Sequence, residues 1–208
     1  MKSFSLLLAL GLVASPGRII NFDADSLGRA PSGWSTPMAD GGAASRWEVL
    51  RDLTAPTQPY VLAQLSADPT ANHFPLAILN AVDLRDGDVS VRLKPVAGSL
   101  DRSGGLVFRY RDAENYYLVI ADARRQDVAL FKVENGWRIP IGSVKHDVPA
   151  NAWRILKISV AGPRIQVYVD HRRVLTAADN TFTSAGKVGL WTARDSVTYF
   201  DDFRVYPK

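Results

Sequence analysis

Gly186-Lys-Val-Gly-Leu-Trp-Thr-Ala-Arg-Asp-Ser-Val-Thr-Tyr-Phe-Asp-Asp-Phe-Arg-Val205 decides the fold of this chain. Two apolar stretches flank a short polar turn, and the second carries two adjacent carboxylates between aromatic residues. Strand alternation predicts Val197, Tyr199, Phe203 and Val205 on one face, with Asp201 in the same row. A carboxylate in an apolar row must be paired, hydrogen-bonded or bound to a metal, because burying it bare is costly.

Outward from this ending, the same period of two recurs. In Asp88-Val-Ser-Val-Arg-Leu-Lys94, Val89, Val91 and Leu93 face one way and Ser90, Arg92 and Lys94 the other. Gly104–Arg111 and Tyr116–Ala121 read as a hairpin around Asp112-Ala-Glu-Asn115. Val128–Val133 and Trp137–Val144 flank Asn135-Gly136, a tight-turn pair. Trp153–Val160 and Arg164–Val169 flank Ala161-Gly-Pro163, and Val169–Val174 forms a further hairpin with His171 at its tip. Earlier strands are expected at Arg18–Asp23, Arg46–Arg51, Tyr60–Leu65 and, short and apolar, Leu76–Leu79. A loop rich in Gly, Pro and Ser follows Asp23, with Trp34 plugging the sandwich edge. Val128–Val133 is apolar on both rows, so its outer row is expected to meet a loop. Short strands at close spacing, with no long amphipathic helix between them, predict an all-β, two-sheet antiparallel sandwich.

The 208 residues suit one sizeable domain. Residues 1–17 read as an export signal: Lys2, then an apolar run from Phe4 to Val13, then small residues. The run is too short to span a bilayer, and the mature chain, 18–208, is expected in a bacterial periplasm or outside the cell, not in a membrane. The net charge of +4 is mild and spread out. No strand combines a basic stripe with stacking aromatics, which argues against a nucleic-acid partner. The chain contains no cysteine, which excludes disulfides, thiolate metal sites and a cysteine nucleophile.

With the strands placed, a family resemblance follows from particular segments. Phe22-Asp-Ala-Asp-Ser-Leu-Gly28 with Pro31 to Trp34, Leu84-Arg-Asp-Gly-Asp-Val-Ser-Val-Arg-Leu-Lys94, Asp101-Arg-Ser-Gly-Gly-Leu-Val-Phe-Arg-Tyr-Arg-Asp112, Asn115-Tyr-Tyr-Leu118 and Gly186 to Phe203 resemble the 3-keto-disaccharide hydrolase domain family and its secreted relatives. The resemblance implies a concanavalin A-like jelly roll, related in shape to laminin G domains and laminarinase-type glycosidases. A superfold alone does not fix chemistry. Laminarinase-type enzymes carry a Glu-x-Asp-x-x-Glu strand with two glutamates as nucleophile and acid. The three glutamates here, Glu48, Glu114 and Glu134, form no such triplet.

Three sets of candidate site residues follow. Arg92, Arg109, Asn115, Tyr117 and Trp191 are expected to alternate outward as a sugar-binding face, aromatic rings stacking on sugars and Arg and Asn bonding hydroxyls; the competing reading makes Trp191 and Tyr117 core cover and Arg109 an ion-pair partner. His73 in a loop, paired with Asp122 after the Tyr116–Ala121 strand, is the acid–base arrangement to test if the chain is catalytic; a turn role for Asp122 competes. Asp23, Asp25, Asp201 and Asp202 gather if the terminal strands are neighbours and would supply oxygens to a structural calcium; salt bridges or backbone hydrogen bonds are the alternative. No other cofactor is expected. The favoured function is non-catalytic recognition of carbohydrate. Hydrolysis of 3-keto-disaccharides or related glycosides is the alternative, and a structural or protein-interaction domain the third.

Overall fold

Val89, Val91 and Leu93 are fully buried while Ser90 and Arg92 between them reach solvent, so the clearest alternation in the sequence is also the spine of one sheet. A computed structural model describes residues 17–39 and 41–208. The expected export signal lies outside the described residues, Gly17 apart. Strands run β1 (Arg18–Ile20), β2 (Trp34–Ser35), β3 (Met38–Ala39), β4 (Trp47–Arg51), β5 (Tyr60–Gln64), β6 (Phe74–Leu84), β7 (Gly87–Ala97) and β8 (Ser103–Asp112). They continue as β9 (Asn115–Asp122), β10 (Asp127–Glu134), β11 (Trp137–Lys145), β12 (Arg154–Ala161), β13 (Arg164–Val169), β14 (Arg172–Ala178), β15 (Gly186–Thr192) and β16 (Val197–Pro207).

These strands form two antiparallel sheets. Sheet I has the order β14-β13-β12-β7-β16-β5-β4, with β1 on β16; sheet II has the order β11-β10-β9-β8-β15-β6-β2, with β3 on β6. The first and last strands are neighbours, Ile20 opposite Phe203 and Arg18 opposite Val205. The inner rows of the sheets meet as the main core, with Val91, Leu93, Leu156, Ile158 and Val167 from sheet I against Leu106, Phe108, Val119, Leu130 and Leu190 from sheet II. Each such side chain contributes roughly 1.5–3 kcal/mol by leaving water. Trp34 closes one end, tilted on Phe22 and edge-on to Phe203 at 5.2 Å.

The hairpin turns follow their residues. Asn135 and Gly136 both take positive φ (51° and 79°), as do Asp170 and His171 (45° and 67°), the conformation that matches strand twist across a two-residue loop.

Three expectations are corrected. First, the row predicted along the last strand is broken. Asp202 has φ 50° and the β16–β7 register shifts between Asp201 and Arg204. This bulge moves the inward row by one residue, so Phe200 joins Phe203 and Val205 in the core while Tyr199 turns outward against Lys94. Second, β6 is far longer than Leu76–Leu79. Its register against β15 jumps between Lys187 and Val188, which lets the exposed Asn80 and Ala81 bulge out of the pairing. Third, loop residues supply only part of what the outer row of β10 meets: Phe131 and Val133 join a second apolar cluster on the outer face of sheet II, with Leu76, Ile78, Val107, Tyr116, Leu118 and Trp191 from its strands and Ala113 and Ala193 from loops.

Candidate functional site

The second cluster is the floor of a cleft. Sheet II is apolar on both faces because β6, β8, β9, β10 and β15 alternate large apolar residues in both rows: Tyr117 and Val119 point to the main core, Tyr116, Leu118 and Ile120 to the outer face. A cavity of about 510 Å³ opens there, lined by Phe74, Tyr116, Val133, Trp137, Arg138 and Trp191 among others. Phe74 and Trp191 stack at 5.5 Å with their planes 25° apart. Burial raises the Tyr116 phenol above its ordinary range, so it enters the site as a neutral hydroxyl. The Arg138 guanidinium lies over Phe74, Phe131 and Trp191 at 5.0, 5.3 and 5.8 Å, within cation–π range. Trp137, its neighbour at the start of β11, is 76% exposed on the rim.

Arg138 and Phe74 also border a second lobe of about 430 Å³, walled by Asp101, Arg124, Arg125 and Arg194. Asp101 is held loosely, 3.7 Å from Arg125 and 3.5 Å from Arg194. Desolvation, then the charge of Asp122, raises its pKa against the opposing pull of Arg125, Arg194 and Arg138. The loop carrying Asp101 is organised from beneath by Asp195, whose carboxylate accepts hydrogen bonds from the N–H groups of Ser99, Leu100 and Asp101 and from the Ser99 hydroxyl. Desolvation alone would raise Asp195; these donors outweigh it and hold the group at about 2. The cleft therefore offers flat rings, fixed N–H donors and a carboxylate acceptor side by side, which suits a ligand with apolar faces and several hydroxyls.

The predicted sugar-binding residues do not converge. Trp191 lies in the cleft floor. Asn115 is at the β8–β9 hairpin tip, donating to Asp112 and accepting from the N–H of Asn135. Tyr117 faces the opposite way, stacked on Phe108 at 5.1 Å with its hydroxyl donating to Asp179. Arg109 is buried at a bulge with φ 47° and donates to the carbonyls of Arg85, Phe182 and Gly162 and to Asp86; it staples three loops and lines neither lobe. Arg92 sits on the outer face of sheet I, paired with Asp202 at 3.0 Å beside a cavity of about 100 Å³.

The predicted acid–base pair is also separated. His73 is buried, with Nδ1 3.0 Å from the carbonyl of Arg194 and Nε2 3.2 Å from that of Ala43. Neither ring nitrogen is free for proton transfer. Asp122 caps the β9–β10 turn, accepting from the N–H groups of Arg124 and Arg125 and pairing with the Arg125 guanidinium at 2.8 Å. Neither residue lines either lobe.

Each of the four terminal aspartates is engaged by protein donors. Asp23 accepts from the Tyr60 N–H and from Asn21, and Asp25 from the Ser32 N–H. Asp201 accepts from the N–H groups of Thr57 and Asp202, while Asp202 accepts from the Thr57 hydroxyl and pairs with Arg92 and Arg204. Among the described residues no group of three or more His, Cys, Asp or Glu could hold a metal ion. Asp201 and Asp202 thereby tie the loop around Thr57 to β16.

Sequence reading missed Phe74, Asp101, Tyr116, Trp137, Arg138 and Arg194. The position of Trp137 was the available signal, since a tryptophan immediately after an Asn-Gly turn stands at a hairpin end where burial is hard to achieve.

The fold is a two-sheet sandwich of the concanavalin A-like lectin and glucanase type. The structure is similar to the carbohydrate-binding module CBM66 from Bacillus subtilis, with a TM-score of 0.64 and 26% identity over 83% of this chain and 94% of that module. It shares its fold with a Bacillus licheniformis β-glucanase, with a TM-score of 0.60 and 14% identity over 93% of this chain and 99% of the other. In sequence, 94 residues are 39% identical to a levanase of Bacillus subtilis (strain 168), covering 44% of this chain and 14% of the levanase. No family model matches the chain.

Proposed function

We propose that this chain is a carbohydrate-binding sandwich that holds a saccharide in the cleft on the outer face of sheet II, as an exported accessory to glycan use. The observation that carries the reading is Trp137 and Arg138 standing over a cavity floored by Phe74, Tyr116 and Trp191. Sugar rings present C–H faces that stack on aromatics, and their equatorial hydroxyls take hydrogen bonds from guanidinium groups and give them to carboxylates. The likeness to CBM66 over nearly that whole module and the matching segment of a levanase support the same reading, with levan among the ligands to try. The apolar run near the N-terminus supports export.

The test is electrophoresis through gels containing levan, β-glucan or other polysaccharides, alongside incubation with 3-keto-disaccharides. Retardation by at least one polysaccharide, abolished in Arg138→Ala and without turnover, is the expected result. Turnover of a 3-keto-disaccharide, or free migration through every gel, contradicts it.

A further inference from the structure

The second lobe has more positive charge than a neutral sugar requires. Arg124, Arg125, Arg138 and Arg194 all line it, and among the described residues Asp101 is the one carboxylate in its wall. Buried Asp122 beneath offsets Arg125 directly, Asp127 also acts on it, and Asp195 lies under the Asp101 loop; in the wall itself, among the described residues, four guanidinium groups still face one carboxylate. Arg138 has its rings but no acid within ion-pairing distance among the described residues. Arg194 is held in place at φ 47° by its own backbone, its N–H donating to the His73 carbonyl at 2.7 Å and its Nε to the Ala71 carbonyl at 3.3 Å. The lobe is thus a partly fixed cationic pocket, continuous with the aromatic lobe through Phe74 and Arg138. Clustering like charges without full compensation works against folding and favours an anionic ligand.

We infer that the saccharide bound in the aromatic lobe carries an acidic group, a carboxylate or a sulfate, which the Arg124–Arg125–Arg138–Arg194 lobe receives. This deepens the carbohydrate reading and rests on it. Arginine suits either group, because its planar donor fork matches the paired oxygens of both. Asp101 keeps a place in this arrangement as acceptor for a hydroxyl adjacent to the acidic carbon, and its two long contacts leave its oxygens free to rotate toward ligand. Glu114, which lines the aromatic lobe and not the arginine lobe, disfavours the reverse orientation of an acidic ligand.

The experiment is calorimetric titration of the full chain with short oligosaccharides in matched pairs. Oligogalacturonides are compared with their methyl esters, and a sulfated oligosaccharide with its unsulfated parent; short chains avoid the diffuse attraction of polyanions. At least tenfold tighter binding of one acidic member than its neutral partner is expected, and the pair that shows it identifies the acid group. Arg124→Gln with Arg194→Gln should erase that preference, whereas Arg172→Gln with Arg173→Gln, the same charge change on exposed β14, should leave it within twofold. Equal binding of acidic and neutral members overturns this inference and leaves the carbohydrate reading standing. Equal loss in both double variants also overturns it, since the preference is then diffuse. Binding of no member of either pair overturns this inference, and together with free migration through every polysaccharide gel it overturns both.

Discussion

Asp195 Oδ1 accepts a hydrogen bond from the backbone N–H of Asp101 at 2.9 Å, so one carboxylate positions another. Asp195 is buried and satisfies three successive amides of the loop that brings Asp101 to the cleft. Asp195→Ala leaves those donors unpartnered and should cost about 2 kcal/mol at neutral pH. The folded-state pKa is depressed to about 2 from 3.8, so the stabilisation is present above 3.8 and is lost as pH falls toward 2. Urea melts between pH 2 and 5 should show that slope in the native chain and a flatter one in the variant.

Asp201 behaves in the opposite sense. Desolvation, with the neighbouring Asp202 and Asp23 charges, raises it to about 6 despite the hydrogen bonds from Thr57 and Asp202. The folded state prefers the neutral acid. Its favourable contribution is complete below 3.8 and disappears as pH rises through about 6, a change on the order of 3 kcal/mol. Thermal melts of Asp201→Asn should lack the decline that the native chain shows between pH 4 and 6.

Arg109 tests how the interior is tied together. Its guanidinium is buried and serves carbonyls at Arg85, Gly162 and Phe182. Arg109→Met strands all three acceptors beside Asp86, and a loss of about 3–5 kcal/mol is expected in denaturant melts. Saccharide affinity of the folded fraction should be unchanged, because Arg109 does not reach the cleft.

Trp137 makes the complementary case. It is largely exposed, so Trp137→Ala should change stability by less than about 0.5 kcal/mol. Loss of one stacking ring should still weaken saccharide binding about tenfold. A melt and a titration on the same sample separate the two effects.

The parts of the fold legible in the sequence are those governed by local rules. Val89, Val91 and Leu93 alternate because one face of β7 is buried, and Asn135-Gly136 turns because both positions need positive φ. What escaped reading depends on partners distant in the chain. Positive φ at Arg109 and Asp202 is imposed by bulges in paired strands, and no local signal marks an arginine or aspartate for it. Each bulge flips the rows beyond it. In β9 the difficulty was different: Tyr116 and Tyr117 are equally apolar neighbours, and alternation says they oppose each other without saying which faces the other sheet. The structure assigns Tyr117 inward and Tyr116 to the cleft. The charged lobe was invisible for a similar reason, since Asp101, Arg125, Arg138 and Arg194 come from four separate segments that only sheet II brings together.

The indole N–H signals of the five tryptophans locate any ligand directly. Trp137 and Trp191 line the cleft, Trp34 and Trp47 lie in the main core, and Trp153 sits by Lys94 and Thr54 at sheet I. During titration with a saccharide that retards the protein, the Trp137 and Trp191 resonances should move together and saturate while that of Trp153 stays fixed. Movement of Trp153 with Trp137 and Trp191 unchanged would place recognition on the other sheet and contradict the account.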